Sequence, residues 1–269
     1  MIRGWPWARV LFAVAVVTAL WAVAATLLGY DVPWWALALD AAAIFAAVGA
    51  GVFLLGSGLF ARPILAVAPA RAGDRVAITF DDGPDARHTP PLLDLLEARG
   101  HRATFFVIGR RAAEMPELLA EIVRRGHALA NHSFAHAYTT PFQDPARLAA
   151  DLAQAQELLA RAGARARFFR PPIGLLSPRV VEAARRAHLQ LVGWTATARD
   201  GRASTTAAQA AARLVAAARP GAILVLHDAV ERGARQPVVA EALATLLDAL
   251  AARKLRSVTL DELIAEEKS

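Results

Sequence analysis

The stretch AITFDDGPDARHTP, residues 77–90, joins a short apolar run to two adjacent carboxylates and an immediate turn. Asp81 and Asp82 follow the apolar run, and Gly83-Pro84 predicts that the chain turns there. Neighbouring side chains in a strand point to opposite faces. The two acids can therefore share one site only if the chain is already turning where they lie; otherwise one of them is a turn residue.

Outward from this stretch, short runs rich in Val, Ile and Phe alternate with longer Ala-, Leu- and Arg-rich stretches at helical spacing. The predicted strands are 75–80, 103–109, 127–133, 166–172, 189–196, 222–228 and 256–260. The predicted helices are 91–99, 116–125, 145–162, 178–187, 205–218 and 238–253. Repeated strand–helix alternation predicts an α/β fold with a parallel sheet, either a barrel or a doubly wound sheet.

Polar residues stand where the predicted strands end, in an otherwise Ala-, Leu- and Val-rich background. They are Asp81 and Asp82, His132, Arg170, Trp194 and His227, with His136 four residues beyond His132. In parallel barrels and doubly wound sheets, sites form at the carboxyl ends of the strands. The sequence therefore predicts one site that these residues share.

The pair His132 and His136 has the spacing of two ligands to one metal. The chain has no cysteine, so a metal would be held by His, Asp or Glu. Two histidines at this spacing also often pack or solvate without a metal, and that alternative stays open from the pair alone. An Asp from a neighbouring strand end would complete a His-His-Asp zinc site with open positions for water and substrate.

A second carboxylate beside such a site can act as a general base toward water. A histidine from another strand can donate a proton to a leaving amine, which together gives amide hydrolysis without a covalent intermediate. His227 is the candidate donor. From spacing alone, a structural histidine satisfied by Asp228 is an equally good interpretation.

The first sixty residues hold most of the apolar excess of a chain whose hydrophobic fraction is 56%. Two apolar runs, about 10–29 and 35–60, predict a two-helix transmembrane hairpin over 1–61. The first run is long for a cleaved signal peptide, and no small-x-small site follows it. A short linker, 62–74, then leads to a catalytic domain over 75–269.

The arginines carry the net charge of +6 and also indicate orientation. They flank the hairpin on both outer sides, whereas the loop between the two runs has no Lys or Arg. The positive-inside rule then places the catalytic domain on the cytoplasmic side of a bacterial inner membrane, as a multi-pass protein. The arginines are scattered and not interleaved with aromatics, so no nucleic-acid partner is expected.

Five motifs carry a family resemblance. They are TFDDGPD (79–85), NHSFAH (131–136), RPPIG (170–174), WTATARD (194–200) and LVLHD (224–228). In this order they resemble the motifs of the NodB-like polysaccharide deacetylases, carbohydrate esterase family 4, over roughly 72–262. The resemblance implies a distorted (β/α)₇ barrel and metal-dependent removal of an N-acyl group, usually acetyl, from an amino sugar.

The resemblance also implies roles for individual residues. Asp81 would be the general base, His227 the general acid, and Asp82, His132 and His136 the ligands of a divalent metal, usually zinc. Arg170 and Pro172 would form a groove wall, with Arg170 also holding the catalytic carboxylate. The backbone N–H of Ile173 would stabilise the oxyanion, Trp194 would contact substrate, and Asp200 would tune His227.

Three positions depart from the family pattern. Ile173 stands where the family usually has Tyr, Thr197 where it usually has Asp, and Gly201 where it commonly has Trp. These changes affect the expected shape of the substrate groove more than the chemistry. Because all five catalytic and metal-binding positions are kept, a non-catalytic glycan-binding protein is the weaker interpretation.

The short linker, the charge asymmetry and the altered groove together favour a membrane-bound substrate. Family members that face the cytoplasm and lie close to the membrane resemble the deformylase acting on undecaprenyl-phosphate-linked 4-formamido-arabinose. We therefore expect a polyprenyl-phosphate-linked amino sugar, a glycolipid used to modify lipid A or another envelope glycan. The alternative is a periplasm-facing deacetylase of N-acetylglucosamine in peptidoglycan or an exopolysaccharide.

Overall fold

The computed structural model describes residues 2–3, 6–229 and 238–265. The strands are β1 (Ile2–Arg3), β2 (Ile64–Ala66), β3 (Arg75–Asp81), β4 (Ala103–Val107), β5 (Ala128–Asn131), β6 (Phe168–Phe169), β7 (Gln190–Leu191), β8 (Ala196–Thr197), β9 (Ile223–His227) and β10 (Arg256–Ser257). The helices are α1 (Trp7–Leu27), α2 (Trp34–Phe53), α3 (Pro69–Ala72), α4 (Thr89–Ala98), α5 (Gly109–Glu114), α6 (Pro116–Arg124), α7 (Pro145–Arg161), α8 (Pro178–Arg186), α9 (Ala207–Ala217), α10 (Val239–Ala252) and α11 (Leu260–Ile264).

A parallel sheet with helices around it forms the body of the molecule, which confirms the predicted α/β class and distorted barrel. The strand order is β7-β6-β5-β4-β3-β9-β8, and β10 pairs with the start of β3. The strands from β3 to β7 lie side by side in chain order, as do β8 and β9, because a helix after each earlier strand returns the chain to the same end of the sheet. The carboxyl ends of the strands therefore share one rim.

The two faces of β3 explain how Asp81 comes to that rim. Val76, Ile78 and Phe80 pack against the outer helices in one apolar cluster. Ala77 belongs instead to the interior cluster, on the opposite face of the strand. Since side chains alternate along a strand, Asp81 continues the interior face at the end of the strand.

The predicted strand 189–196 is split into β7 and β8, because the chain between them crosses the open seam of the barrel. Gly193 N donates to the Ile64 carbonyl at 2.9 Å, and Thr195 N donates to the Ile223 carbonyl at 2.8 Å. Residue Ile64 also forms a parallel bridge with Val192. Part of the segment predicted as a linker thus lies in this seam as β2, where it pairs with β1.

The two N-terminal helices pack against each other as a hairpin. Each is long and apolar enough to cross a bilayer, and small residues such as Ala15 and Ala47 are buried in the contact. Inside the hairpin, Thr18 Oγ1 donates to Asp40 Oδ1 at 2.6 Å. Helix α2 ends at Phe53, before the predicted end of the apolar run at residue 60, and a short 3₁₀ turn, Leu55–Ser57, follows it.

This turn docks the hairpin onto the barrel. Leu55 is 8% exposed and belongs to an apolar cluster with Phe169, Leu176 and Val180. The Leu176 N–H donates to the carbonyl of Val52, in the last turn of α2, at 3.0 Å. The hairpin is therefore attached to the barrel beside the rim where the strands end.

Candidate functional site

The two adjacent carboxylates reach the same rim because the backbone turns between them. Asp81 is the last residue of β3 and faces the barrel interior. Asp82 has a φ of 75°, a left-handed conformation that acidic residues tolerate better than most others. The turn directs the second carboxylate into the same cleft as the first. Both therefore belong to one site.

Asp82 lies between the two histidines of the predicted metal pair. Its Oδ1 is 3.3 Å from His132 Nε2 and 3.2 Å from His136 Nε2. One ligand atom from each of the three residues lies within 4.8 Å of the other two. The structure thus brings together the three ligands predicted from the sequence.

This donor set fits a divalent metal such as zinc. Bonds of about 2.0–2.1 Å in a tetrahedral site require ligand atoms about 3.3 Å apart, which matches the two distances from Asp82. The Nδ1 of His132 lies 2.7 Å from the carbonyl oxygen of Arg170. Because a carbonyl only accepts, Nδ1 carries the proton, and Nε2 presents its lone pair to the site.

The loop that carries both histidines is held by side chains that cap its backbone. Asn131 Oδ1 accepts from Ser133 N at 2.8 Å, and Ser133 Oγ accepts from His136 N at 3.0 Å. The Asp151 carboxylate, from α7, accepts from Phe134 N and from the next amide. These bonds fix the ring of His136 opposite that of His132.

The charge of Asp82 is stabilised by its neighbours. Burial would raise the pKa of this carboxyl. The hydrogen bond and charge of His132, with the charges of His227 and His136, outweigh burial and hold the pKa of Asp82 well below its usual range. Asp82 is therefore ionised at neutral pH, as a metal ligand must be.

Asp81 is paired with a fully buried arginine. The Arg170 Nη1 group donates to Asp81 Oδ1 and, at 3.0 Å, to Thr79 Oγ1. Its Nη2 donates to the Gly193 carbonyl at 3.0 Å, and its guanidinium lies 4.0 Å from the centre of the Phe106 ring. The arginine therefore fixes the orientation of Asp81 from behind the cleft.

The histidine at the end of β9 is bound to Asp200 and not to its neighbour in the chain. His227 Nδ1 donates to Asp200 Oδ1 at 2.7 Å, and the His227 backbone N–H donates to Asp200 Oδ2 at 2.9 Å. Burial lowers the pKa of His227, but Asp200 and the charges of Asp81 and Asp82 outweigh it and raise that pKa to about 9. His227 can therefore hold a proton at Nε2 in the cleft.

Asp228 lies on the other side of the same strand end. Its Oδ2 accepts from Thr89 Oγ1 at 2.6 Å, and a Cβ added to Gly83 would lie 2.2 Å from it. Burial, together with the charges of Asp82 and Asp81, raises the pKa of Asp228 to about 7 against the lowering effect of Thr89. Asp228 therefore supports the turn after Asp82.

The cleft has a volume of about 410 Å³. Its lining includes the predicted residues Asp81, Asp82, His132, His136, Ile173, Trp194 and His227. Arg170 and Asp200 stand behind the lining and act on Asp81 and His227. Both Pro171 and Pro172 are buried, and Pro171 lines the cleft in place of the predicted Pro172.

Further lining residues were not singled out as site residues from the sequence. Tyr138, Arg199 and Arg202 border the cleft. Tyr138 follows His136 by two residues, and this closeness to the predicted metal pair could have identified it as a residue of the cleft. The two arginines follow β8 in an irregular segment, and residue type alone did not distinguish them from the many scattered surface arginines.

Comparison with known proteins agrees with this geometry. A family model described as polysaccharide deacetylase matches residues 69–192. A peptidoglycan-N-acetylglucosamine deacetylase of Bacillus cereus is 34% identical over 191 residues, which cover 70% of this chain and 87% of that protein. A chitooligosaccharide deacetylase of a Bradyrhizobium species is 36% identical over 160 residues, covering 59% of this chain and 72% of that protein.

A solved structure is similar in both sequence and fold. It is a family 4 acetyl xylan esterase from Clostridium thermocellum in complex with a cobalt ion. The identity is 34%, the TM-score is 0.64, and the alignment covers 70% of this chain and 89% of the other.

Proposed function

The chain belongs to the polysaccharide deacetylase family, carbohydrate esterase family 4, and from this membership we propose that its cleft uses a zinc ion to deacetylate an N-acetylated amino sugar. Relatives in this family include deacetylases of peptidoglycan N-acetylglucosamine and of chitooligosaccharides, and a solved family 4 esterase holds a cobalt ion. The observation that carries the proposal is the meeting of Asp82, His132 and His136 in one cleft with two further titratable groups, Asp81 and His227.

In this proposal, Asp82 and the Nε2 atoms of His132 and His136 hold the metal. When bound, a divalent metal lowers the pKa of a coordinated water and polarises the acyl oxygen of the substrate. The Arg170 carbonyl keeps the Nδ1 proton of His132 in place, so that the ring presents its basic nitrogen. Zinc suits this set of two imidazoles and one carboxylate.

The chain's own groups move the protons. Asp81, oriented by Arg170, accepts a proton from the attacking water as the water oxygen bonds to the acyl carbon. His227 donates its Nε2 proton to the amide nitrogen as the carbon–nitrogen bond breaks, which releases acetate and the free amine of the sugar. Asp200 keeps the acid protonated before that step. The exposed turn at Ile173 offers its backbone N–H to the developing oxyanion.

For the substrate, we propose an amino sugar carried on a polyprenyl phosphate and used to modify lipid A or another envelope glycan. This finer assignment is supported by the hairpin, which docks beside the cleft wall through Leu55 and Leu176. Under the same proposal, 1–61 is the membrane hairpin, 62–74 the linker and 75–269 the catalytic domain. The domain lies on the cytoplasmic side of a bacterial inner membrane.

The names of the two relatives favour a second candidate. They act on peptidoglycan N-acetylglucosamine and on chitooligosaccharides, so a periplasm-facing deacetylase of polymeric N-acetylglucosamine is the alternative. A fusion of alkaline phosphatase after Ser269 separates the two. Phosphatase activity in intact cells would favour the polymer, whereas an inactive fusion would favour the lipid-linked sugar.

Acetate release tests the reaction itself. The purified full chain with zinc should release acetate from a chitooligosaccharide, a chelator should stop the release, and added zinc should restore it. Asp82→Asn should lower zinc affinity. A rate that persists unchanged after the chelator removes all metal would refute the metal-dependent reaction.

A further inference from the structure

We propose that an apolar rim beside the cleft, formed by Tyr138, Phe142 and Ile173, contacts the lipid bilayer, so that the amino sugar enters the cleft from the membrane surface. The inference rests on the proposed function, because it names the surface through which that site reaches a lipid-linked substrate.

The exposure of these three side chains is the first observation. Tyr138 and Ile173 are each 55% exposed and Phe142 is 75% exposed. Among residues 55–229 and 238–265, they are the large apolar side chains that face outward. Two of them line the cleft. Phe142 ends the short turn that begins two residues after Tyr138. Exposed apolar side chains in such a segment beside a cleft indicate a contact with another apolar phase or partner.

Continuity with the hairpin identifies that partner as the bilayer. The turn Thr140–Phe142 is tied to the start of α8, because Ser177 Oγ donates to the Pro141 carbonyl at 2.7 Å. The next residue back, Leu176, is bound to the Val52 carbonyl at the end of α2. Two hydrogen bonds therefore connect the rim to the helix that would cross the membrane. A rim so close to the end of that helix lies at the level of the bilayer surface.

Basic side chains at the rim fit the same interpretation. Arg179 is exposed, and its Nη1 donates to the Phe142 carbonyl at 2.6 Å. Arg199 and Arg202 are exposed side chains that line the cleft. Arginine side chains are attracted to an anionic lipid surface, and a polyprenyl phosphate also carries negative charge.

The aromatic side chains of the apolar rim could also stack against the sugars of a glycan polymer. The experiments below distinguish the bilayer from such a polymer. The chain has no cysteine, so one introduced cysteine gives one labelling site. The full-length Phe142→Cys variant would be labelled with an environment-sensitive fluorophore in phosphatidylcholine–phosphatidylglycerol vesicles, with and without a nitroxide phospholipid. Ala160→Cys is the matched control. Helix α7 begins just after the turn that carries Phe142, and the exposed Ala160 lies about 22 Å along the helix from its first turn.

We expect quenching by the nitroxide lipid and a blue-shifted emission at position 142, and neither at position 160. Equal quenching at the two positions, or none at position 142, would overturn the proposal. This readout does not depend on enzyme activity.

The second experiment compares substrates. Phe142→Glu should lower acetate release from N-acetylglucosamine on a polyprenyl phosphate in the same vesicles by at least about tenfold, because a carboxylate opposes insertion at the interface. Phe142→Leu should retain that rate. Both variants should turn over a soluble chitooligosaccharide as the unmodified chain does.

Loss of turnover on both substrates would overturn the proposal, because the rim would then bind the sugar itself. An unchanged rate of Phe142→Glu on the lipid-linked sugar would also overturn it. If the unmodified chain releases acetate from neither substrate, the proposed function fails, while the quenching experiment still decides whether the rim contacts the bilayer.

Discussion

Asp81 and Asp82 are neighbours in the chain but have different surroundings. Asp82 lies against two histidines, whereas Asp81 lies against a buried guanidinium and Thr79. The first environment suits a metal ligand. The second holds a carboxylate in one orientation without occupying it with a metal, which suits a general base.

Replacing Asp81 should therefore separate proton transfer from metal binding. Asp81→Asn should lower kcat by about 10²–10⁴-fold, the usual contribution of a general base, while zinc content stays stoichiometric. The measurement is acetate release together with metal analysis of the same sample. Loss of the charge beside buried Arg170 should also lower the melting temperature, since a buried ion then lacks its partner.

Asp94→Asn is the matched control, because this carboxylate also pairs with an arginine but lies on the surface. It should leave kcat unchanged. If Asp81→Asn kept the full rate with bound zinc, the general-base role would have to be assigned to another group.

The proton of His227 should set the alkaline limit of the reaction. Asp200, bound to the ring of His227, raises the pKa of this histidine above its usual range, so the acid form is present at neutral pH and is lost in more alkaline solution. The rate should then fall as pH rises through this pKa. Asp200→Asn removes the main stabilising charge, so the fall should occur at least about one pH unit lower.

This prediction is measured as kcat/KM against pH, from about pH 6 to pH 10, with zinc saturating. Asp85→Asn is a suitable control, because its carboxylate bonds to His88 and not to His227. An alkaline limb that does not move in Asp200→Asn would contradict the role of His227 as the acid.

At the scale of elements, the turn after β3 is constrained by a neighbour from another strand. A Cβ at Gly83 would lie 2.2 Å from Asp228 Oδ2, and Asp228 is fully buried beside Thr89. Gly83→Ala should therefore lower the free energy of unfolding by about 1–3 kcal/mol. Thermal or denaturant unfolding of the full chain measures it.

Gly201→Ala is the control, because nothing lies within 4 Å of a Cβ added there. The double variant Gly83→Ala with Asp228→Ala should be less destabilised than the sum of the two single variants, since the clash is gone. Additive losses would show that Asp228 is not the constraint.

The central strands could be predicted from the sequence because each is marked by a continuous apolar run in its own residues. The runs at β3, β4 and β9 are apolar on both faces, and a strand between two layers requires this. The segment 189–196 was predicted as one strand, and the structure splits it. The reason is the crossing of the barrel seam, where Gly193 and Thr195 bond to residues far away in the chain. The apolar pattern of a short segment contains no information about hydrogen-bond partners that lie far away in the chain.

The same limit applies to the partner of His227. The spacing in the sequence indicated Asp228, the next residue, as the partner of His227. Adjacent side chains in a strand point to opposite sides, however, and Asp228 contacts Thr89 instead. The observed partner, Asp200, comes from the segment after β8 and entered the prediction through the family motif. The roles of these residues stay predictions until they are measured.

For the whole molecule, the hairpin that we propose as a membrane anchor also packs on the surface of the barrel. Leu55 is packed against Phe169 and Leu176, next to the wall that carries Ile173, and β2 lies in the seam between the strands at its edges. A change in how the hairpin docks should therefore be detected at the cleft wall, and not only in membrane attachment.

Leu55→Ala tests this coupling directly. The truncation leaves a cavity under the turn, and a buried Leu→Ala change costs about 2–5 kcal/mol when the site cannot collapse. The docked state should open more often, so the Leu176 amide, which bonds to Val52, should exchange with deuterium at least about tenfold faster. Hydrogen exchange of the full chain in lipid nanodiscs, read by mass spectrometry over 174–178, gives the measurement.

Leu54→Ala is the matched control, since Leu54 is 53% exposed and adjacent in the chain, and it should leave that exchange rate unchanged. Equal rates in the two variants would show that the hairpin and the cleft wall move independently.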